Sequence, residues 1–272
     1  MSLLTTSSPD TTSTAQDPNG FGVRAKRLLG KVGVQNVSLL MAIVILVAII
    51  GSQNPIFFTL ANSKVIGNSV AVVGLLAVIQ TVVMILGALD ISVGSMAGLA
   101  SVTSAMIFTS LGGAVWGVAG AIGIGIVCGL VNGCVIVFGR VNPVIATLAT
   151  LAAYKGVAQL VSGGRAQGYT GADPFFTFLA RGSLLGIPAL IWVLIVIAVA
   201  THVFLRYTAA GRNVYAVGGN DIAARLSGIN INKYILGVYM AAGAVAALAG
   251  VLITARTGSG QPVSGCGVSH SR

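Results

Sequence analysis

Groups able to carry acid–base, nucleophilic or metal chemistry are scarce in this chain: five acidic residues, all Asp, two His and three Cys among 272 residues. Cys128 and Cys134 lie six apart in an apolar stretch and point to different faces of a 3.6-residue helix, so with Cys266 they read as packing residues. No cluster has metal-ligand spacing. The one Gly-Lys pair, Gly30-Lys31, has Ala25 where a phosphate loop needs glycine and Val32 where it needs Ser or Thr. The chain therefore reads as no enzyme and as binding no cofactor of its own; ATP-Mg, if it drives this molecule, sits on a partner. Two polar stretches remain. Asp90 is the only acidic residue between Asp17 and Asp173, with Ser92 and Ser95 just after it. Residues 211–230, GRNVYAVGGNDIAARLSGIN, form a polar and basic island between apolar runs.

The elements that must hold these stretches are membrane helices. The chain is 56% hydrophobic and 7% charged, where a soluble domain is about a quarter charged. Its formal charge of +10 is spread over tail and loops without an aromatic stacking platform, which argues against nucleic acid. Residues 1–22 are Ser-, Thr- and Pro-rich and read as disordered, and the basic tail up to 36 reads as cytoplasmic. An uncleaved first span is expected around 37–50, and a second over 65–89. The uncharged 91–139 would reach ~73 Å as one helix, so it must fold back. Gly112-Gly113 gives that turn and two spans, 93–111 and 114–138. Spans five to seven are expected over 144–161, 188–205 with Pro188 in the first turn, and 234–255. Residues 162–187 read as the longest non-helical connection before the island. The fold class is thus all-α, a polytopic transmembrane bundle of about seven spans.

With the N-terminus inside, nine Lys and Arg fall on the inner side (Arg24, Lys26, Arg27, Lys31, Arg140, Arg206, Arg212, Arg225 and Lys233) and five on the outer, with Lys155 inside a span. The island is then cytoplasmic. Gly113, Gly117, Ala121, Gly125, Gly129 and Gly133 recur at steps of four, a small-residue ridge that allows close approach of another helix, for packing alone or for a moving seam. Within the island, Gly218-Gly219 are expected to make a turn, Asn220 or Asp221 to cap a short helix, and Gly228 to close it at positive φ. Ile222, Leu226 and Ala223 would share one face. Two readings fit: a capped connection between spans, or a docking element for a partner. Asp90 likewise fits an inner-surface turn, with Ser92 capping the next helix, or a gate lined by Asp90, Ser92 and Ser95.

The island GRNVYAVGGNDIAARLSGINI closely resembles the cytoplasmic coupling loop of ribose-type ABC transporter permeases, bacterial inner-membrane subunits that import monosaccharides. Leu89-Asp-Ile-Ser-Val-Gly-Ser95 is similar to that family's motif joining two membrane helices. Asn142-Pro143 through Gly164 resembles its following helix and Gly-Gly turn, and 258–265 resembles the start of a later outer segment. The resemblance covers about 37–265 and implies one permease domain there, with the coupling loop at 206–233. It implies an ATPase-contacting surface around Gly211, Arg212, Asn213, Gly218, Gly219, Asn220, Asp221, Ala223, Ala224, Arg225 and Gly228. It also implies a cytoplasmic ABC ATPase, a periplasmic sugar-binding protein and a second permease copy as partners within the lipid bilayer. Asn142 joins Asp90, Ser92 and Ser95 as a gate or pathway candidate. Gln80, Asn132, Asn142 and Gln159, within or at the ends of spans, are the candidates for sugar contact, though such residues are more often interhelical hydrogen bonds or interfacial anchors, and no sugar site is named. After GSGQPVSG the family continues into a Gly-rich acidic segment and further helices, whereas 266–272 is short and polar, which resembles a truncation or a shifted frame. The competing classes are an ion-gradient-driven secondary transporter, which would place ionisable groups inside paired broken helices, and a non-transporting membrane scaffold.

Overall fold

The computed structural model describes residues 34–168 and 173–262. The expected tail of 1–22, most of the basic stretch after it, and 266–272 lie outside the described residues. Contacts divide the chain between Asn62 and Ser63 into two units.

The first unit contains α1 (Val34–Gln53) and a 3-10 turn (Pro55–Phe58). The apolar run of α1 ends at Asn54, whose side chain accepts from the Ile56 N–H at 3.1 Å, and Pro55 has no N–H with which to continue the helix. Leu39, Leu40, Met41 and Val44 are all more than half exposed. A helix that is apolar all round suits a lipid environment.

α2 (Leu60–Ile85) begins just before the division and runs into the second unit. It is followed by α3 (Val93–Leu111), α4 (Ala114–Gly139), α5 (Pro143–Ser162), α6 (Pro174–Arg181), α7 (Ala189–Tyr207), α8 (Ala209–Gly219), α9 (Asp221–Leu226) and α10 (Ile231–Thr257). Among the described residues, α2, α3, α4, α5, α7 and α10 are long and apolar enough to cross a membrane, and α1 adds a shorter apolar run over Val37–Gln53. This is the helical bundle of about seven spans expected from the sequence. The fold-back falls at Gly112, whose φ of 69° closes α3 with its N–H on the Phe108 carbonyl at 2.9 Å.

α3, α4 and α10 form the tightly packed centre. Gly125 and Gly129 of α4 lie so close to the backbone of Gly243 and Tyr239 in α10 that a Cβ at either would overlap a carbonyl oxygen. Gly117 faces α3 instead, where a Cβ would meet the Ser104 carbonyl oxygen at 2.9 Å. Gly133 faces Leu236 of α10, its Cβ position 3.2 Å from the Leu236 Cα. The step-of-four ridge thus serves two helices, because one face of α4 turns gradually past both over its 26 residues. Ser101 of α3 and Thr254 of α10, both fully buried, hydrogen-bond at 2.9 Å across the seam.

Three expectations need correction. α2 stops at Ile85 rather than Leu89, since Gly87 takes φ 84° and ends the helix. Pro188 precedes α7 instead of opening it: it is extended (φ −54°, ψ 142°) and pairs in a short hairpin, β2 (Ser183–Leu184) with β3 (Ile187–Pro188). Leu185 and Gly186 both have positive φ, as a two-residue hairpin turn requires. The connection 162–187 is also not without structure. Asp173 caps the amphipathic α6 by accepting from the Phe175 N–H at 2.8 Å, and its second carboxylate oxygen accepts from the Ala114 N–H at 3.2 Å. Phe176 then meets Phe108 edge-on at 5.4 Å, fastening α6 over one end of the bundle. Earlier in the same connection, β1 (Gln167–Gly168) pairs with β4 (Ser259–Gly260).

Candidate functional site

The island folds as two short helices. Thr208 opens α8 by accepting from the Gly211 N–H at 2.9 Å. Asn220 opens α9 by accepting from the Ala223 N–H at 2.9 Å. Gly228, at φ 80°, closes α9, with the Ile229 N–H reaching the Ala224 carbonyl at 3.0 Å. Asn230 then caps α10 through the Lys233 N–H. The expected turn at Gly218-Gly219 is absent: both residues are helical and end α8. The sequence signal of paired glycines has another cause, because Gly218 packs against the end of α2.

One face of this helix pair is rooted in the bundle. Val214, Val217 and Ala224 are buried in the same apolar cluster as Val82, Val83 and Leu86 of the α2 end. Gly211 lies against the Phe204 carbonyl, and Asn213 donates to the Tyr234 hydroxyl at 2.6 Å. The other face is open. Ile222 is 69% and Leu226 85% exposed, with Tyr215, Arg212, Asp221, Ala223 and Arg225 exposed around them. Ile222, Leu226 and Ala223 accordingly lie on the outward side of α9.

The second cluster is built around the break between α2 and α3. Asp90 is 2% exposed, so it is no surface turn. Its Oδ1 accepts from both the backbone N–H (2.9 Å) and the hydroxyl (2.6 Å) of Ser92. Ser92 occupies the first position before α3, yet its hydroxyl is committed to Asp90 and caps no helical N–H. The Ser92 oxygen in turn accepts from the Asn132 amide of α4 at 2.8 Å, and Asn132 Oδ1 accepts from the Tyr154 hydroxyl of α5 at 2.8 Å. The Gln80 side-chain amide of α2, with its NH2 toward the Asp90 carbonyl, brackets the Asp90 backbone at 3.1 and 3.3 Å. Four helices thus meet on one chain of polar contacts, Asp90–Ser92–Asn132–Tyr154 with Gln80 behind.

Of the four gate candidates, Asp90 and Ser92 come together directly, and Ser95 joins through its hydroxyl on the Ser92 carbonyl at 2.8 Å. Asn142 stands apart: it is exposed and caps α5 by accepting from the Val144 N–H. Among the sugar-contact candidates, Gln80 and Asn132 are engaged in this internal network and Gln159 is exposed. Tyr154 was missed by sequence reasoning. Its signal was its position in an apolar span, where a hydroxyl needs a partner. Lys155 beside it is exposed.

A separate cleft of about 510 Å³ lies between α2, α7, α8 and α10, walled by Ile79, Val82, Phe204, Val214 and Val245. Its polar side chains are Thr201, Lys233 and Tyr234 alone, so it offers few of the hydrogen bonds that a polyhydroxy solute requires. Among the described residues no group of three or more His, Cys, Asp or Glu could hold a metal ion.

The molecule is thus a bundle of lipid-compatible helices that presents a capped helix pair on its outside. The model of the family described as "Branched-chain amino acid transport system / permease component" matches residues 65–270. The chain is 35% identical over 247 residues to the ribose import permease protein RbsC of Escherichia coli strain K12, covering 90% of this chain and 77% of that protein. It is 34% identical over 264 residues to the L-arabinose ABC transporter permease protein AraH of Azospirillum brasilense, covering 96% of this chain and 76% of that protein. To the ribose import permease protein of Bacillus subtilis strain 168 it is 35% identical over 232 residues, 85% and 72% of the two chains. No solved structure matches. The chain belongs to this family of permease components.

Proposed function

We propose that this chain is the membrane-spanning subunit of an ATP-driven importer that carries a monosaccharide, a pentose or hexose, across a bacterial inner membrane. In this reading two copies surround the pathway, a periplasmic sugar-binding protein delivers substrate, and a cytoplasmic ATPase subunit docks on residues 211–228. The observation that carries it is the two-sided build of α8–α9. Val214, Val217 and Ala224 anchor the pair in the bundle, while Ile222 and Leu226 point away at 69% and 85% exposure beside Arg225. Large apolar side chains held outward by capped helices suit the groove of another protein. Arg212 and Arg225 at that surface, with Arg140, Arg206 and Lys233 exposed at the same end of the bundle, agree with a cytoplasmic setting. The relatives named for ribose and L-arabinose supply the sugar class.

The test is reconstitution with the ATPase subunit and the binding protein. Arg225→Glu reverses the charge of the outward face. Gly219→Trp adds bulk where a Cβ meets nothing within 4 Å, so the fold tolerates it and a docked partner does not. Each is expected to lower sugar moved per ATP by about tenfold, within the usual range of coupling free energies, with membrane insertion unchanged. Normal ATPase co-purification and normal uptake in both variants would refute the reading.

A further inference from the structure

Gly218, near the end of α8, faces the last turn of α2 with no side chain between the backbones. A Cβ built on Gly218 would overlap the Ile85 carbonyl oxygen and lie 2.9 Å from the Leu86 carbonyl carbon. From the other side, a Cβ on Gly87 would come to 3.6 Å from the Gly218 Cα and oxygen. The α2 end is itself closed by a left-handed glycine: the Gly87 N–H bonds the Met84 carbonyl at 2.9 Å and the Ala88 N–H bonds the Val83 carbonyl at 3.1 Å. Three residues beyond Gly87 the chain reaches Asp90 and its network to Asn132 and Tyr154. A backbone-to-backbone contact without intervening rotamers transmits displacement with little loss, because close-packed groups cannot absorb it by rearranging side chains.

We propose that the Gly218–Gly87 contact is a relay. Movement of α8–α9 shifts the closed end of α2, and the short 87–90 segment passes that shift to the Asp90–Ser92–Asn132–Tyr154 chain joining α3, α4 and α5. Gly218 is turned toward the α2 end rather than to the outward face of α8–α9 that docks the ATPase, so Gly218 and Gly87 are positioning residues for the transport step and neither touches sugar. This rests on the reading of 211–228 as the ATPase-facing loop, and the experiment separates the two claims.

Gly218→Ala and Gly87→Ala are compared with Gly123→Ala, a helical glycine whose added Cβ meets nothing within 4 Å. Two measurements are made: sugar moved per ATP in proteoliposomes with the ATPase and binding protein, and backbone hydrogen exchange of 86–92 in the permease alone in nanodiscs. The relay predicts that Gly218→Ala and Gly87→Ala retain the ATPase and hydrolyse ATP while sugar per ATP falls by about tenfold. It also predicts that 86–92 exchanges faster in both, and that Gly123→Ala behaves as wild type in both measurements. Unchanged sugar per ATP in Gly218→Ala overturns the relay, as does loss of ATPase binding in that variant with normal coupling in Gly87→Ala. If Gly218→Ala does not insert, Gly87→Ala decides by the same criteria, compared with Gly112→Ala, a glycine also at positive φ (69°) whose added Cβ meets nothing within 4 Å, so that backbone strain is not mistaken for loss of the contact. Failure of the wild-type chain to retain any ATPase overturns the docking reading alone; the exchange of 86–92 then decides the relay, and exchange that stays at the wild-type rate overturns it.

Discussion

Asp90 carries the residue-scale argument. A carboxylate at 2% exposure is costly unless it is hydrogen-bonded, and here Ser92 supplies two donors to one oxygen while the other has no hydrogen-bond partner among the described residues. Asparagine keeps the accepting oxygen toward Ser92 and removes the charge. Asp90→Asn is therefore expected to insert and to retain the ATPase, with sugar uptake lost; uptake at the wild-type rate would show that the cluster serves structure alone. The presence of Asp90, Ser92 and Ser95 was legible in the sequence because an acid amid apolar spans stands out. Its burial was not legible, since the expected span ran on to Leu89. The break at Gly87 depends on a positive φ that a lone Gly-Ala pair does not announce. Asn132 and Tyr154 were missed as partners because they come from α4 and α5, 42 and 64 residues on, and only tertiary packing brings such distant positions together.

At the scale of elements the glycines divide by what they face. Gly125 and Gly129 let α4 meet α10 backbone to backbone, the close approach that stabilises helices where lipid removes the hydrophobic drive between them. Gly129→Val places a branched side chain on the Tyr239 carbonyl and is expected to destabilise the bundle by about 1–3 kcal/mol. Unfolding in mixed detergent measures this, with Gly123→Val as the control, and equal stability of the two would contradict the packing described. Helix boundaries were readable wherever a glycine or proline coincided with a change of polarity, as at Gly112 and Pro143. They slipped at Pro188, where the proline serves a hairpin, and at Gly218-Gly219, where two glycines read as a turn. Sequence shows that a glycine is needed; whether for positive φ or for close approach is decided by the neighbouring element.

For the molecule as a whole, the fold class followed from composition, because 7% charge spread between apolar stretches leaves little alternative to a helical bundle in lipid. The polarity of the island required only a place outside the bilayer and left a capped connection and a docking element both open; its resemblance to the coupling loop of ribose-type permeases is what made the function legible. In the proposed importer the two-sided α8–α9 pair is the joint between the energy source and the spans. The most direct test is sugar uptake into proteoliposomes holding this chain with its ATPase and binding protein, with all ion gradients collapsed. The account predicts uptake that depends on internal or external ATP according to orientation and persists without a gradient. Uptake that needs a gradient and ignores ATP would contradict it.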